Sequence, residues 1–205
     1  GTLRSFIRFQ ASWNGVGDGA VRADQAWLSL GGLRMGYSES AWADTVVGVN
    51  TNGSHSDNSM SYGDQQRALI QYNFSSNGFF GVLSLEDDAL AGDGYMPDLV
   101  GVIGYEGGWG GVWARAGYDE SFDNVPGING GFGASAGLQV NVPNIEDSSF
   151  RLVGYYSDGD HAYGTLHGPA ATVFGGNGNS EWSILASYYH QFTSTFGGSV
   201  GFQYF

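Results

Sequence analysis

Apolar and small or polar residues alternate along most of this 205-residue chain, and this alternation limits its fold more than any other feature. In the clearest stretch, from Phe132 to Val142, every second residue is apolar and the residues between are Gly, Ser, Gln or Asn. A period of two is typical of a strand with two unlike faces, and helical spacing is convincing nowhere. We therefore predict an all-β protein with strands near residues 2–12, 20–30, 33–40, 65–74, 79–87, 97–105, 111–119, 128–142, 150–157, 181–192 and 196–205.

The connections between the predicted strands alternate strictly between short and long. The short ones lie at residues 31–32, 75–78, 106–110, 143–149 and 193–195, and the long ones lie near 13–19, 41–64, 88–96, 120–127 and 158–180. Outer-membrane barrels have short turns at one end and long loops at the other, whereas a soluble sandwich has no reason to sort its connections in this way. The sequence predicts one antiparallel up-and-down transmembrane β-barrel domain over residues 1–205, present only in part.

The hairpin from Leu28 to Met35 indicates which face of the barrel meets lipid. A two-residue Gly-Gly turn pairs Leu30 with Leu33 and puts Ser29 and Arg34 on the other face. Because the apolar face must point at lipid, we expect Arg34 to point into the lumen. The same parity places six of the seven arginines on the inner face, namely Arg4, Arg8, Arg34, Arg67, Arg115 and Arg151, and leaves Arg22 on the lipid side.

Charge is distributed unequally between the predicted wall and the predicted loops. The net charge of −13 excludes a nucleic-acid binder, which needs a basic face, and all seven cations are arginine, a permanently charged side chain that suits a positive pore wall. The long segment 40–63 carries Asp44 and Asp57 and is flanked by Glu39 and Asp64. If it folds into the barrel, these carboxylates face the arginines across a narrow opening. The alternative is an ordinary solvated external loop.

Patterns that resemble chemical sites have a simpler explanation in strands and loops. Residues 133–137 match the G-x-S-x-G nucleophile elbow, which needs a turn between a strand and a helix, yet they lie inside the best alternating strand. The chain has no cysteine, and no histidine has a second ligand at metal spacing, so we expect His55 to be a solvated loop residue. Glu86 and Asp119 are interpreted, with other acids near the long connections, as solubilising. We expect neither enzymatic activity nor a cofactor.

Four stretches carry motifs that are specific enough to compare with a known family. They are residues 26–40, residues 92–101 with the sequence Gly-Tyr-Met-Pro, residues 104–110 with Gly-Gly-Trp-Gly, and residues 116–119. In these stretches, and most strongly over residues 20–119, the chain resembles the general-diffusion porins of α-proteobacterial outer membranes. The resemblance implies a trimeric barrel of about 16 strands. It also implies that the third external loop, here the segment after Glu39, folds inward as the constriction.

The resemblance further implies a function and its partners. It implies a water-filled channel in the bacterial outer membrane, surrounded by lipid and lipopolysaccharide, through which small hydrophilic solutes and ions diffuse passively. It makes Arg4, Arg8, Arg34 and Arg67 members of the pore wall, whereas the same role for Arg115 and Arg151 rests on parity.

Other functions remain open on the same barrel. A sugar-specific channel could use the lumen-side aromatic residues Trp27, Trp113 and Tyr155 as a stacking track. An adhesin or phage receptor could act through the long loops. A hydrolase would need Ser, His and Asp at one level of the barrel, and His190, the only strand histidine, has lipid-side parity.

The number of predicted strands does not close a barrel. Eleven is odd, and the first and last strands run in the same direction, although an antiparallel barrel closes only when they run oppositely. We therefore expect strands to be missing from both ends, so that the chain is a fragment of a larger barrel.

Overall fold

Eleven β-strands form one sheet in the computed structural model, which describes residues 2–12, 19–43, 55, 66–87, 96–119, 130–159, 163 and 180–204. The strands are β1 (Leu3–Ser12), β2 (Ala20–Leu30), β3 (Leu33–Glu39), β4 (Gln66–Ser76), β5 (Phe79–Glu86), β6 (Asp98–Gly107), β7 (Gly110–Asp119), β8 (Gly131–Asn141), β9 (Ser149–Asp158), β10 (Glu181–Thr193) and β11 (Phe196–Tyr204). Within these ranges no helix is long and apolar enough to cross a membrane, a test that does not bear on strands.

Each strand pairs antiparallel with the next strand along the chain, from β1 to β11. The predicted all-β, up-and-down architecture is therefore confirmed. Because β1 and β11 each have a single neighbour among the described strands, the sheet is open. The predicted strand limits hold to within a few residues, as for β4, which ends at Ser76 instead of residue 74.

The short connections all lie at one end of the sheet, which we call the turn end, and the opposite end is the loop end. Tight turns need residues that tolerate positive φ, and these are Gly31 (φ 61°), Asn77 (φ 51°) and Gly78 (φ 85°). The longer connection between β8 and β9 has positive φ at Asn144 and Asp147. Because these turns fix the direction of each strand, the position of any strand residue can be given by its distance from the turn end or the loop end.

The two faces of the sheet differ in chemistry as the alternation predicts. The outer face carries exposed apolar side chains on every strand, including Ile7, Leu28, Met35, Ile70, Leu83, Ile103, Val112, Phe132, Leu152, Ile184 and Val200. The residues between them form the inner face, where most side chains from β4 to β10 are buried. Exposed apolar area of this extent is stable where lipid covers it.

A β-bulge in β2 changes the face of Arg22. Arg8 of β1 pairs with Gln25, but Gln10 pairs with Arg22, so β2 has one residue more than β1 between these two pairs. An extra residue shifts the parity of everything beyond it. Arg22 therefore lies on the inner face and donates from Nε and Nη2 to Gln10 Oε1, at 2.9 Å and 2.6 Å. The lipid-side placement from strict alternation is wrong, and all seven arginines share the inner face.

The buried core lies against the inner face, not between two sheets. Strand residues supply one side of this core, namely Phe80, Val82, Val100, Val102, Trp113, Val153, Tyr155 and Leu185. The other side consists of Ala41, Trp42 and Ala43, which directly follow β3, and of Tyr163 from the connection between β9 and β10. Two connections that start at the loop end therefore reach into the space that the sheet faces.

Candidate functional site

Residues Ser40–Ala43 form a tight turn that presents Trp42 to the inner face. The backbone N–H of Ala43 donates to the carbonyl oxygen of Ser40 at 2.9 Å, and that of Trp42 donates to Ser40 Oγ at 3.0 Å. These bonds satisfy backbone groups that would otherwise be buried without partners. The indole of Trp42 is buried in the core, so the hydrophobic effect stabilises the inward position of this segment.

Two charged strand residues bind the backbone of this turn. The carboxylate of Glu86, at the end of β5, accepts the N–H of Ala41 at 2.8 Å. On β7, Arg115 Nη1 donates to the carbonyl oxygen of Trp42, and the guanidinium carbon lies 5.4 Å from the indole centroid. The turn is thus bound at one backbone N–H by a carboxylate and at one backbone carbonyl oxygen by a guanidinium.

Three of the predicted pore-lining arginines are buried on the inner face. The exposed fractions of Arg67, Arg115 and Arg151 are 1%, 3% and 5%. Arg151 donates from Nε to Gln139 Oε1 at 3.1 Å, and its guanidinium carbon lies 5.9 Å from the Trp113 centroid. Buried charges persist in proteins where they are hydrogen bonded, which explains why each has a defined partner.

The other three predicted arginines lie on β1 and β3, at more accessible positions. Arg4 is exposed, Arg8 forms an ion pair with Asp24, and Arg34 is stacked with its guanidinium carbon 4.7 Å from the Trp27 centroid. They share the inner face with the buried three, at the β1 edge of the sheet. The arginines thus divide into an accessible group and a buried group.

Of the predicted constriction acids, the structure describes Glu39 alone, because Asp44, Asp57 and Asp64 lie outside the described residues. Glu39 is the last residue of β3 and pairs with Gln66 of β4. Strict alternation along β3 puts Glu39 on the face of Met35 and Tyr37, opposite to that of Arg34.

Three acids that sequence reasoning did not assign to a site line the inner face instead. Glu86, Asp98 and Asp119 lie on the neighbouring strands β5, β6 and β7 at the loop end, with exposed fractions of 0%, 3% and 0%. The interpretation of Glu86 and Asp119 as solubilising groups is wrong, because both are buried. Parity was the available signal: Glu86 is two residues from Ser84 and four from Val82, which are inner-face residues.

Tyr163, from the connection between β9 and β10, reaches the same region of the inner face. Its hydroxyl donates to Asp98 Oδ2 at 2.6 Å, and its ring meets the Trp42 indole edge to face, with centroids 5.7 Å apart and planes at 60°. The ring lies over Gly117, where any side chain would collide with it, and a side chain at Gly133 would collide with the backbone carbonyl of Tyr163. Burial and the neighbouring carboxylates raise the pKa of the Tyr163 phenol, so it stays protonated and remains a donor.

His55 also contacts the inner face and is not the solvated loop residue that the sequence suggested. Its Nδ1 and Nε2 each lie 2.8 Å from a serine hydroxyl, of Ser187 on β10 and Ser149 on β9. The ring stacks on Tyr189, with centroids 6.2 Å apart. Burial, and then the positive charge of Arg151, lower the pKa of His55 to about 4, so the imidazole is neutral at pH 7.

The family described as "Porin subfamily" matches residues 1–204 of the chain. The chain belongs to the porin family. Its relatives include porin Omp2b of Brucella canis and of Brucella abortus, each 33% identical over 202 residues that cover 86% of this chain and 52% of the relative. Porin Omp2b of Brucella neotomae is 32% identical over the same length. The chain thus spans about half the length of the curated relatives it matches.

A solved structure has the same fold. The outer membrane channel DcaP of Acinetobacter baumannii superposes on 99% of this porin and 62% of its own chain, with a TM-score of 0.69 and 16% identity. The likeness concerns architecture alone at this identity. Family membership makes this porin a protein of the bacterial outer membrane whose relatives are porins, not enzymes.

The structure places the residues needed by two of the alternative functions where they cannot act. Of the aromatic track that a sugar channel would use, Trp113 and Tyr155 are 3% and 6% exposed, so a solute cannot stack on them. A hydrolase of the kind considered would need His190 near a serine such as Ser135. Ser135 lies on the inner face, whereas His190 pairs with Gly198 on the outer face.

Proposed function

We propose that the full-length porin forms a water-filled channel through which small hydrophilic solutes and ions diffuse passively across the outer membrane. One observation carries the proposal: the outer face of the sheet is apolar on every strand, while all seven arginines share the inner face. A cation facing lipid at the membrane midplane costs about 2–4 kcal/mol, so this segregation suits a barrel with lipid outside and a polar interior.

The segment 40–63 is, in this proposal, the inward-folded constriction of the channel. Two observations support it. Ser40–Ala43 lies against the inner face at the loop end, and His55 bonds to Ser149, the first residue of β9, at the turn end. Contacts of these described residues near both ends of the inner face are those that a segment narrowing the interior would make.

In this proposal, the arginines of the wall and the carboxylates of the segment determine which solutes and ions pass. The proposed lining and constriction residues are Arg4, Arg8, Arg34, Arg67, Arg115 and Arg151 with Asp44, Asp57 and Asp64. Glu39 is left out of this set, because its position in β3 gives it the parity of the outer face. Arg4, Arg8 and Arg34 meet the solute, whereas Arg115 holds the segment and the other buried arginines act through their field. A transverse field of this kind orients dipolar solutes and disfavours apolar ones.

The partners follow from the same proposal. Lipid and lipopolysaccharide surround the apolar face, and three copies associate through part of it, as closed symmetric assemblies do. The proposal includes no cofactor and no nucleic acid.

Conductance of the full-length protein in a planar lipid bilayer tests the proposal. Large, linear current steps in groups of three are expected, and the sign of the reversal potential under a KCl gradient shows whether loop carboxylates or arginines dominate. Correctly folded protein that inserts and gives no steps would rule out an open channel.

A further inference from the structure

We infer that Tyr163 is a positioning residue for the constriction: by holding Trp42 in the turn Ser40–Ala43, it helps to set the width of the channel. This inference rests on the proposed channel function and concerns the same site. It assigns a role to a residue that no sequence motif marks.

A notch in the sheet is shaped for the ring of Tyr163. Gly117 of β7 and Gly133 of β8 are direct partners in the ladder, so two neighbouring strands lack a side chain at one point of the inner face. A Cβ on Gly117 would collide with the Tyr163 ring, and one on Gly133 would collide with its backbone carbonyl. Elsewhere in the sheet, a Cβ on Gly101 or Gly154 would meet nothing within 4 Å.

The ring and the hydroxyl of Tyr163 each have a separate partner. The hydroxyl bond to Asp98 at 2.6 Å ties the residue to β6, and the edge-to-face contact with Trp42 ties it to the inward turn. Trp42 is therefore held by Arg115, at its carbonyl oxygen and its ring, and by Tyr163, at its ring. Loss of Tyr163 removes one of these two restraints and leaves the strand pairing untouched.

Substitutions at the notch test the inference by unit conductance, measured for the full-length protein. Gly117→Ala expels the ring, and we expect larger, less uniform current steps. Gly101→Ala is the matched control, since it adds the same methyl group to a strand glycine with open space around it. Unfolding on heating is recorded for both, because a merely structural role would change stability without changing unit conductance.

Tyr163→Ala covers the case in which Gly117→Ala does not fold, because it changes a connection and leaves the notch empty. We expect the same shift in unit conductance. In the double variant, Gly117→Ala should add nothing to Tyr163→Ala, because the added methyl group then has no ring to displace.

The outcomes separate this inference from the proposed function. Unchanged unit conductance in Tyr163→Ala overturns the positioning role, and so does equal conductance in the folded Gly117→Ala and Gly101→Ala variants. A wild-type protein that forms no channel overturns the proposed function itself.

Discussion

Arg115 contacts Trp42 twice: its Nη1 donates to the carbonyl oxygen of Trp42, and its guanidinium carbon lies 5.4 Å from the indole centroid. A planar cation can satisfy a backbone acceptor and lie against an aromatic ring with one side chain. The guanidinium that parity assigned to the pore wall is thus engaged with the turn Ser40–Ala43, the start of the proposed constriction. In the proposed channel, its charge would act on a solute through that turn.

Arg115→Lys should loosen the turn at Ser40–Ala43. A lysine ammonium is a point charge on a flexible stem and lacks the planar fork that reaches the carbonyl and the ring together. We expect larger and more variable current steps in planar bilayers. Arg22→Lys is the control, because Arg22 bonds to Gln10 on the inner face and is outside the proposed lining. Identical step sizes in Arg115→Lys and wild type would contradict the role given to Arg115.

Trp42→Ala should both destabilise the protein and widen the channel. Removing a buried aromatic side chain typically costs about 3–5 kcal/mol, less where the site can collapse. The free energy of unfolding is measured in urea, beside unit conductance. Trp109→Ala, at an exposed position in the turn between β6 and β7, should change neither quantity by much. A fully stable Trp42→Ala variant would show that the turn does not bury its indole.

A charge on the outer face should be tolerated according to its depth in the membrane. Ile103→Arg, in the middle of β6, should lower the free energy of unfolding from bilayers by about 2–4 kcal/mol, and Leu99→Arg, near the end of the same face of the same strand, by about 0–1 kcal/mol. Both residues are exposed in the sheet. Equal costs at the two positions would argue against lipid contact on this face.

The contacts of His55 should weaken in acid. Its pKa is lowered to about 4 in the structure, whereas a histidine released into water titrates near 6.5. Between these values the released state binds a proton that the docked state does not, so the docked state loses stability as pH falls from 6.5 to 4 and keeps it fully above that window. We expect current fluctuations to increase over this range.

His55→Gln isolates this effect from other titrations. Glutamine can hydrogen bond with the hydroxyls of Ser149 and Ser187 but does not titrate. Carboxylates elsewhere gain protons at similar pH in both proteins, so the difference between wild type and variant is the relevant quantity. A pH response that His55→Gln leaves unchanged would assign it to other groups.

Period and turn chemistry were sufficient to predict the sheet from the sequence. The strands, their order and their faces follow from alternation and from turns such as Gly31-Gly32. Alternation fails where a single residue is inserted, as in the bulge that turns Arg22 inward, because nothing in the local pattern marks it. Alternation also fails to indicate which face is buried where both faces are apolar. In β5, for example, the neighbours Val82 and Leu83 are both apolar, yet Val82 is buried and Leu83 is exposed.

The contacts around the turn Ser40–Ala43 could be predicted from the sequence far less well than the sheet. Glu86 could have been placed by parity, but Trp42 and Tyr163 lie in connections, where no period operates. Their positions depend on partners in distant strands, and such pairings leave no trace in a single sequence. The inward turn at Ser40 was expected from the family resemblance, and its partners were not.

The strand order has a consequence for the time course of assembly. Every strand pairs with its neighbour along the chain, whereas 73 residues separate Trp42 from Arg115 and 132 separate His55 from Ser187. Closing long stretches of chain costs more entropy than forming a hairpin, and distant contacts form slowly. The surfaces that receive Trp42 and His55 exist only once β7 and β10 are in place. The contacts that hold the proposed constriction are therefore the last to form.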